Sequence, residues 1–566
     1  MQGFFTFLQQ NPYLLLFFVV GLAVWIGRAN IKGYGLGMVA GAIVVGAALS
    51  VTASLYGVKL ELNNFAKSLF YYLFMYGVGL RVGPSFINSL KGDGLKFTVL
   101  ALVSSVLGLA LVVLGAKLLS LPPGAAGGML AGSQTMSAAI GSAEQAVTSG
   151  VVKLPEGMKP EDAAGMIALS YGITYIWGTV GIILICKYLP RWWGVDAKAA
   201  ARQYEAEFGV RDLEGGGLTG FRQFGLRAYR LENQAQVGMS IAKFRLSNPE
   251  YRIVNVSRGG EQLGADPDLV LKKGDIVALG GATTHLTEKM GLIGPEVADA
   301  KTLGIPLDQA EILVTNKAVV GRTFESFRGE AMAGQLQVTK VERGGVPIPA
   351  GLKTELQWMD IVSVVGLKSA VNELAEMWGR VARTNTATDL LTLAAGMILG
   401  LLIGMISFPA FGASIGLGNA GGLLLSGVIV SSVVSRLRFF GNTPNAARNV
   451  LEDLGLVVFV AIVGVNAGAG LLAQLTGALA LKIFIVGFIA CTIPPFIVWA
   501  IGYHVFKINP AVLMGGVAGA RSHSGPCREA AVEIQSSVPW IGFPVGYAVS
   551  GILLTVFGYF AMLLAQ

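Results

Sequence analysis

Hydrophobic positions form long unbroken runs in the outer thirds of the chain and short alternating stretches in the middle. In the first third the runs lie near residues 11–27, 35–54, 66–87, 97–120 and 163–187, and the same order returns near 389–407, 419–435, 454–473, 479–503 and 538–563. Such runs predict transmembrane helices, because about 20 apolar residues cross a hydrocarbon core of about 30 Å. Each outer third also holds one interrupted stretch before its last run, GGMLAGSQTMSAA at 127–139 and GGVAGARSHSGPCREA at 515–530. Both open on Gly-Gly and mix small residues with hydroxyls, in the register Thr135 to Ser522 and Ser137 to Ser524. Broken backbone at membrane depth is tolerated only where protein or a water-filled cavity satisfies its polar groups, and matching breaks in two halves point to a substrate site. Gly79-Leu80-Arg81-Val82-Gly83 against Gly464-Val465-Asn466-Ala467-Gly468 extends the register, so an internal duplication is expected.

Residues 195–388 differ in kind, with dense charge and short alternating strands punctuated by Gly, Pro and Asp. This insertion repeats too. In each copy a strand runs into Arg258-Gly259-Gly260 or Arg343-Gly344-Gly345, and Gly274-Asp275 or Met359-Asp360 then leads into an apolar strand. The copies resemble the ligand-binding C-terminal subdomain of regulators of potassium conductance, which implies a βαβ-type arrangement; two roles stand for the pair, binding a small-molecule regulator or helping the protein dimerise, and no G-x-G-x-x-G fingerprint names a ligand. The expected division is a first membrane repeat at 1–193, soluble subdomains at 205–295 and 296–383, and a second membrane repeat at 388–566.

Loop charge predicts orientation, since Lys and Arg accumulate on the cytoplasmic side. Arg28 and Lys32, then Arg81, Lys91 and Lys96, then Lys187, Arg191, Lys198 and Arg202 mark cytoplasmic ends in the first half, as do Arg436, Arg438, Arg448 and Lys507 in the second. All agree if the two Gly/Ser stretches are re-entrant hairpins that do not cross. Five spans per half then make the repeats inverted, both termini external and the insertion cytoplasmic.

The chain is 53% hydrophobic and only 13% charged, with mean hydropathy +0.63, which fits a polytopic α-helical membrane protein. Its net charge of +8 follows from the inward bias of Lys and Arg, and no motif supports nucleic acid as a partner. Cys186, Cys491 and Cys527 lack metal or disulfide spacing, and no cofactor or metal is expected. The segment MQGFFTFLQQNP lacks the basic start of a cleaved signal, so the first run is read as an uncleaved span.

Two duplicated membrane halves around two soluble subdomains, with the paired segments GGMLAGSQT and GGVAGARSHS, resemble the aspartate:alanine exchanger family. Many members carry a Thr-x-Thr-Pro-like sequence there; this chain reads Thr135-Met136-Ser137-Ala138 and Ser522-His523-Ser524-Gly525-Pro526. The resemblance implies a secondary antiporter in a bacterial inner membrane, exchanging aspartate for alanine electrogenically as a homodimer with an elevator-like mechanism. Another small dicarboxylate or amino acid is the alternative cargo.

Aspartate brings two carboxylates and an ammonium, so its site needs positive potential and oxygen acceptors. Half-helix N-termini in the hairpins supply part of it. Ser133, Gln134, Thr135 and Ser137 of the first hairpin and Ser522, His523 and Ser524 of the second are the candidate hydrogen-bonding groups; the alternative is that these small residues serve close helix packing. Arg521 is the first choice for a carboxylate clamp, because guanidinium forks a carboxylate. Two readings stand for Arg81, a partner for an anionic substrate or an anchor at the cytoplasmic interface; Asn466 occupies the repeat-related place. Arg528 is read as pairing with Glu529 or Glu533, and His523 as a proton coupler or a plain hydrogen-bonding histidine. Tyr171, Thr174 and Tyr547 are candidate cavity walls, and Glu144 an interfacial carboxylate. A ligand-gated channel lacks a TVGYG-like filter here, and an enzyme is disfavoured because His285, His504 and His523 form no acid/base or metal constellation.

Overall fold

The structure, a computed structural model, describes all residues except 29, 32–33, 36–37, 90–93, 209–223, 249–250, 283–292, 306, 328–335, 344–345, 383–388, 411–412, 434–444 and 475–476. Lys32, Lys91, His285, Gly344, Gly345, Arg436 and Arg438, used above, lie outside the described residues.

Each of the ten apolar runs forms a helix: Pro12–Gly27, Met38–Leu55, Asn64–Ser89, Gly94–Leu118 and Pro160–Trp192 in the first third, then Leu390–Gly404, Gly418–Val433, Asn445–Gln474, Gly477–Ala500 and Pro539–Leu564 in the last. Among the described residues, 5 helices are long and apolar enough to cross a membrane, or 6 if Gln2–Gln10 and Pro12–Gly27 count as one span bent by 110°. That bend sits at Pro12, which has no N–H to continue the ladder and holds Asn11 out of helical geometry. The chain is a multi-pass membrane protein.

Helix neighbours keep the same pattern when the two halves are exchanged. Met38–Leu55 lies on Asn445–Gln474 as Gly418–Val433 lies on Asn64–Ser89, and Gly94–Leu118 meets Pro539–Leu564 as Gly477–Ala500 meets Pro160–Trp192. The exchange maps the contact between Asn64–Ser89 and Asn445–Gln474 onto itself, and likewise that between Gly94–Leu118 and Gly477–Ala500.

The Gly/Ser stretches fold into two helical hairpins. Hairpin 1 joins Ala125–Ser133 to Ala138–Thr148, and hairpin 2 joins Pro510–Gly519 to Ser524–Ile534. Arms of 9 to 11 residues rise only about 14–17 Å, roughly half a bilayer core. Their first arms pack backbone to backbone on the last helix of their own half. A Cβ on Gly128 or Gly132 would overlap the carbonyl of Ile167 or Tyr171, and one on Gly515 or Gly519 the carbonyl of Pro539 or Phe543. This small-xxx-small spacing lets helices approach where hydrophobicity gives no net drive between them. The glycines are 387 residues apart between copies and their receiving carbonyls 372, so the same seat is used twice.

Membrane-unit residues Met1–Tyr204 and Asn385–Gln566 cluster apart from a second compact unit, Glu205–Arg343 and Pro347–Thr384. In the second unit, β1 (Phe224–Arg230), β2 (Arg252–Arg258), β3 (Glu261–Gly264) and β4 (Ile276–Ala282) form an antiparallel sheet of order β1-β4-β2-β3. A second sheet holds β5 (Leu307–Val314), β6 (Leu336–Arg343), β7 (Val346–Ile348), β8 (Ile361–Leu367) and β9 (Gly379–Ala382) in the order β9-β5-β8-β6-β7. The βαβ arrangement expected for each copy takes a split form. β1 and β2 run parallel, joined through helix Ile241–Ser247, but β4 inserts between them. In the second copy the corresponding connection contains a 3-10 turn, Phe324–Phe327.

Both copies carry one clamp at a spacing of 85 residues. Arg258 donates from Nε and Nη2 to the two oxygens of Asp275 at 2.8 Å each and from Nη2 to Val270 O, while Lys272 N donates to Asp275 Oδ2. Arg343 does the same to Asp360, at 2.9 and 2.7 Å, and to Glu355 O, with Gln357 N donating to Asp360 Oδ2. Burial pushes the Asp275 carboxyl up, but the hydrogen bonds from Arg258 and the Lys272 backbone outweigh it and hold it below its ordinary value. The turn into each clamp needs a left-handed residue, supplied by Gly274 at φ +87° and, in the other copy, by Met359 at φ +67°.

Candidate functional site

Both hairpins turn through the same backbone device. In hairpin 1 Met136 N donates to Ala131 O and Thr135 N to Gly132 O; in hairpin 2 His523 N donates to Ala518 O and Ser522 N to Gly519 O. This crossed pair of bonds is a Schellman cap, whose left-handed position is ordinarily glycine. Here Thr135 (φ +54°) and Ser522 (φ +52°) occupy it. Left-handed backbone at a residue with a Cβ costs about 1–2 kcal/mol, and such strain collects at functional sites.

The turns meet. Thr135 Oγ1 donates to Gln134 O at 2.7 Å and reaches Arg521 O at 3.4 Å. Arg521 donates across to Ser133 O through Nη2 and to Cys491 O through Nη1 at 2.7 Å, with Cys491 Sγ 3.6 Å from Nη2. Gln134 Nε2 donates to Ala490 O at 2.9 Å. The receiving carbonyls have a sequence origin. Pro494 and Pro495 lie inside Gly477–Ala500, and proline has no N–H, so the carbonyls four residues earlier, Ala490 and Cys491, lose their helical donors. Gln134 and Arg521, each 0% exposed, cap those two carbonyls. They are also counterparts, 387 residues apart like Thr135 and Ser522.

Several buried polar atoms around the turns are left without a partner among the described residues: Arg521 Nε, Gln134 Oε1 and the hydroxyls of Ser104, Ser105 and Ser170. Gly108 faces the Gln134 carboxamide, and Ser104 and Ser105 lie one turn back on that helix; Ser170 packs over Gly128. No described carboxylate pairs with Arg521, whose placement at the centre of a span would cost about 2.5–3.5 kcal/mol by insertion scales. Orphaned donors and acceptors around a buried, unneutralised cation describe a place for a polar, anionic guest.

The remaining candidates separate. The Ser137 and Tyr171 hydroxyls are 2.9 Å apart, closing hairpin 1 onto helix Pro160–Trp192. Thr174 is turned back onto Ser170 O at 2.7 Å. His523 Nδ1 accepts from Gly525 N at 2.9 Å, capping the helix that begins at Ser524. Arg81 is engaged with Glu452 (Nε–Oε1 3.0 Å) and with Asn449 Oδ1 at 2.7 Å. Asn466 bonds both backbone groups of Leu62, at 2.8 and 3.0 Å. Arg81 and Asn466 thus tie Asn64–Ser89 to Asn445–Gln474, each reaching the beginning of the other helix, and neither bonds a turn residue. Glu144 pairs with Lys67 at 3.0 Å, and Glu533 is held by Lys187 and Arg191.

Sequence reading missed the part of Ala490, Cys491 and the proline pair. The signal was present, since two adjacent prolines inside a long apolar run mark two open carbonyls.

The aspartate–alanine exchanger family, described as a predicted permease membrane region, matches residues 15–191 and 392–563. An uncharacterized transporter of Bordetella parapertussis is 66% identical over 566 residues, 100% of both chains. Another, of Desulfotalea psychrophila, is 32% identical over 572 residues, covering 99% of this chain and 85% of that protein. A third, of Shewanella oneidensis, is 30% identical over 567 residues and 99% of each. With its paired hairpins and a family match across both membrane thirds, the chain belongs to the aspartate–alanine exchanger family of permeases and is a transporter.

Proposed function

We propose that this transporter is a secondary antiporter for small amino or dicarboxylic acids, with aspartate entering against alanine as the leading pair. Cargo binds where the two hairpin turns meet, between the Thr135 and Ser522 corners, with a carboxylate on Arg521. The observation that carries this reading is the buried Arg521 guanidinium, bonded only to neutral partners among the described residues and retaining an open Nε–H. The exchangeable pattern of helix neighbours supports inverted repeats that open alternately to either side, with the hairpins moving as part of an elevator. In the same reading the protein sits as a homodimer in a bacterial inner membrane with both termini outside. The duplicated soluble subdomains, like those of potassium-conductance regulators, face the cytoplasm and take a small-molecule regulator.

Obligate exchange follows if the empty site, with its uncompensated charge, moves across the membrane far more slowly than the loaded one. Proteoliposomes filled with alanine then take up labelled aspartate, and liposomes with no internal amino acid take up little. Equal accumulation in the two preparations overturns the exchange.

A further inference from the structure

We propose that Gln134 is the specificity-determining residue for the amine of the cargo, its carboxamide oxygen accepting from the substrate's ammonium while Arg521 holds a carboxylate. This deepens the reading of the hairpin turns as the substrate site and rests on it.

The argument begins with which end of the carboxamide is free. A backbone carbonyl only accepts, so the atom of Gln134 that bonds Ala490 O is the nitrogen, and the oxygen is the end left bare. Pro494 fixes this choice, because it removes the amide that would otherwise satisfy Ala490 O. The counterpart residue, Arg521, uses Nη1 and Nη2 on Cys491 O and Ser133 O and keeps Nε–H open. Two repeat-related side chains anchored on successive carbonyls of one helix therefore present opposite polarity: an open acceptor on Gln134 and an open donor with full positive charge on Arg521. Both are wholly buried, so a bare oxygen there has no solvent to fall back on.

A guest that satisfies both must bring an anionic acceptor and an N–H donor. An α-amino acid carries the two on one carbon. An amine-free acid of the same skeleton satisfies Arg521 but leaves the Gln134 oxygen bare, or sets it against a second carboxylate. The buried hydroxyls of Ser104, Ser105 and Ser170 donate or accept and discriminate against neither class.

The experiment compares acids that differ only in the amine, aspartate with succinate and alanine with propionate, in counterflow on proteoliposomes of the full chain. The wild-type protein is expected to prefer the amine-bearing member by about tenfold to a hundredfold, the range for one hydrogen bond to a charged group. Gln134→Met brings the ratio towards one. Pro494→Ala, which returns an amide donor to Ala490 O and lets the carboxamide turn over, narrows it while aspartate exchange persists. Should Gln134→Met fold poorly, the rise in melting temperature of the wild-type protein with aspartate, against that with succinate, makes the same comparison. Wild-type exchange of succinate as readily as aspartate overturns the role of Gln134 and leaves the substrate site standing. Exchange of no acid of either class removes the site and this role together.

Discussion

The strand-rich unit and the membrane unit each show one pattern twice, and they treat their arginines in opposite ways. In the strand-rich unit Arg258 and Arg343 each fork an aspartate, and both copies keep every bond of the clamp. In the membrane unit the turn, its seat and its left-handed corner are kept in both copies, while the residue before the corner is an amide in one and a guanidinium in the other. Where two copies agree atom for atom, the group supports the fold. Where the frame agrees and one side chain departs, leaving a charge with no carboxylate partner among the described residues, the difference is what the proposed asymmetric guest would read.

The comparison breaks first at Arg521. Arg521→Ala should abolish counterflow, by more than about a hundredfold given that a desolvated charged contact is worth several kcal/mol, and a modest fall in melting temperature should accompany it, because Cys491 O loses its cap; retained exchange would put Arg521 with the structural arginines. The converse test is Arg343→Ala, which strands Asp360, itself 0% exposed, and should destabilise the strand-rich unit by about 3–5 kcal/mol, seen as an early calorimetric transition. A smaller effect is expected from Pro495→Ala. The restored amide competes with Arg521 for Cys491 O and should slow exchange by up to about tenfold, the range of one hydrogen bond.

Acid sharpens the contrast from the other side. Asp275 is held below its ordinary pKa of 3.8, so the unfolded chain binds the proton more readily. The clamp's contribution is complete above that value and is lost as pH falls through the lower folded value, so the melting temperature of the strand-rich unit should hold down to about pH 4 and drop below it. Asp275→Asn should flatten that slope from a lower plateau. Smallest is Met359→Gly, which puts glycine where the other copy has Gly274 and should raise stability by about 0.5–1 kcal/mol, relief of left-handed strain less the entropy of a freer unfolded chain.

Much of this architecture was legible in the sequence because it is local. Ten apolar runs became ten helices, and the register of Thr135 with Ser522 located two corners of the same geometry, since Gly, Ser and Thr clusters interrupt a helix wherever they fall. The repeat between the membrane thirds was readable down to its Arg and Asp positions. What escaped was long-range. Nothing near Arg81 in the chain announces Glu452 or Asn449, and nothing near Asn466 announces Leu62, because these pairings depend on how two distant helices lie together. The Pro494–Pro495 step stood in plain view, but its meaning needed the donors, 356 and 30 residues away, that fill the gap it leaves.

That gap links opening to wetting. Two adjacent carbonyls with no amide behind them cannot stand bare in a hydrocarbon medium. Drawing hairpin 1 off helix Gly477–Ala500 would hand Ala490 O, and drawing off hairpin 2 would hand Cys491 O, to water or to an incoming guest. A dry slide of either hairpin along this helix would leave a bare carbonyl, so any parting of the turns from it would have to let water or cargo in.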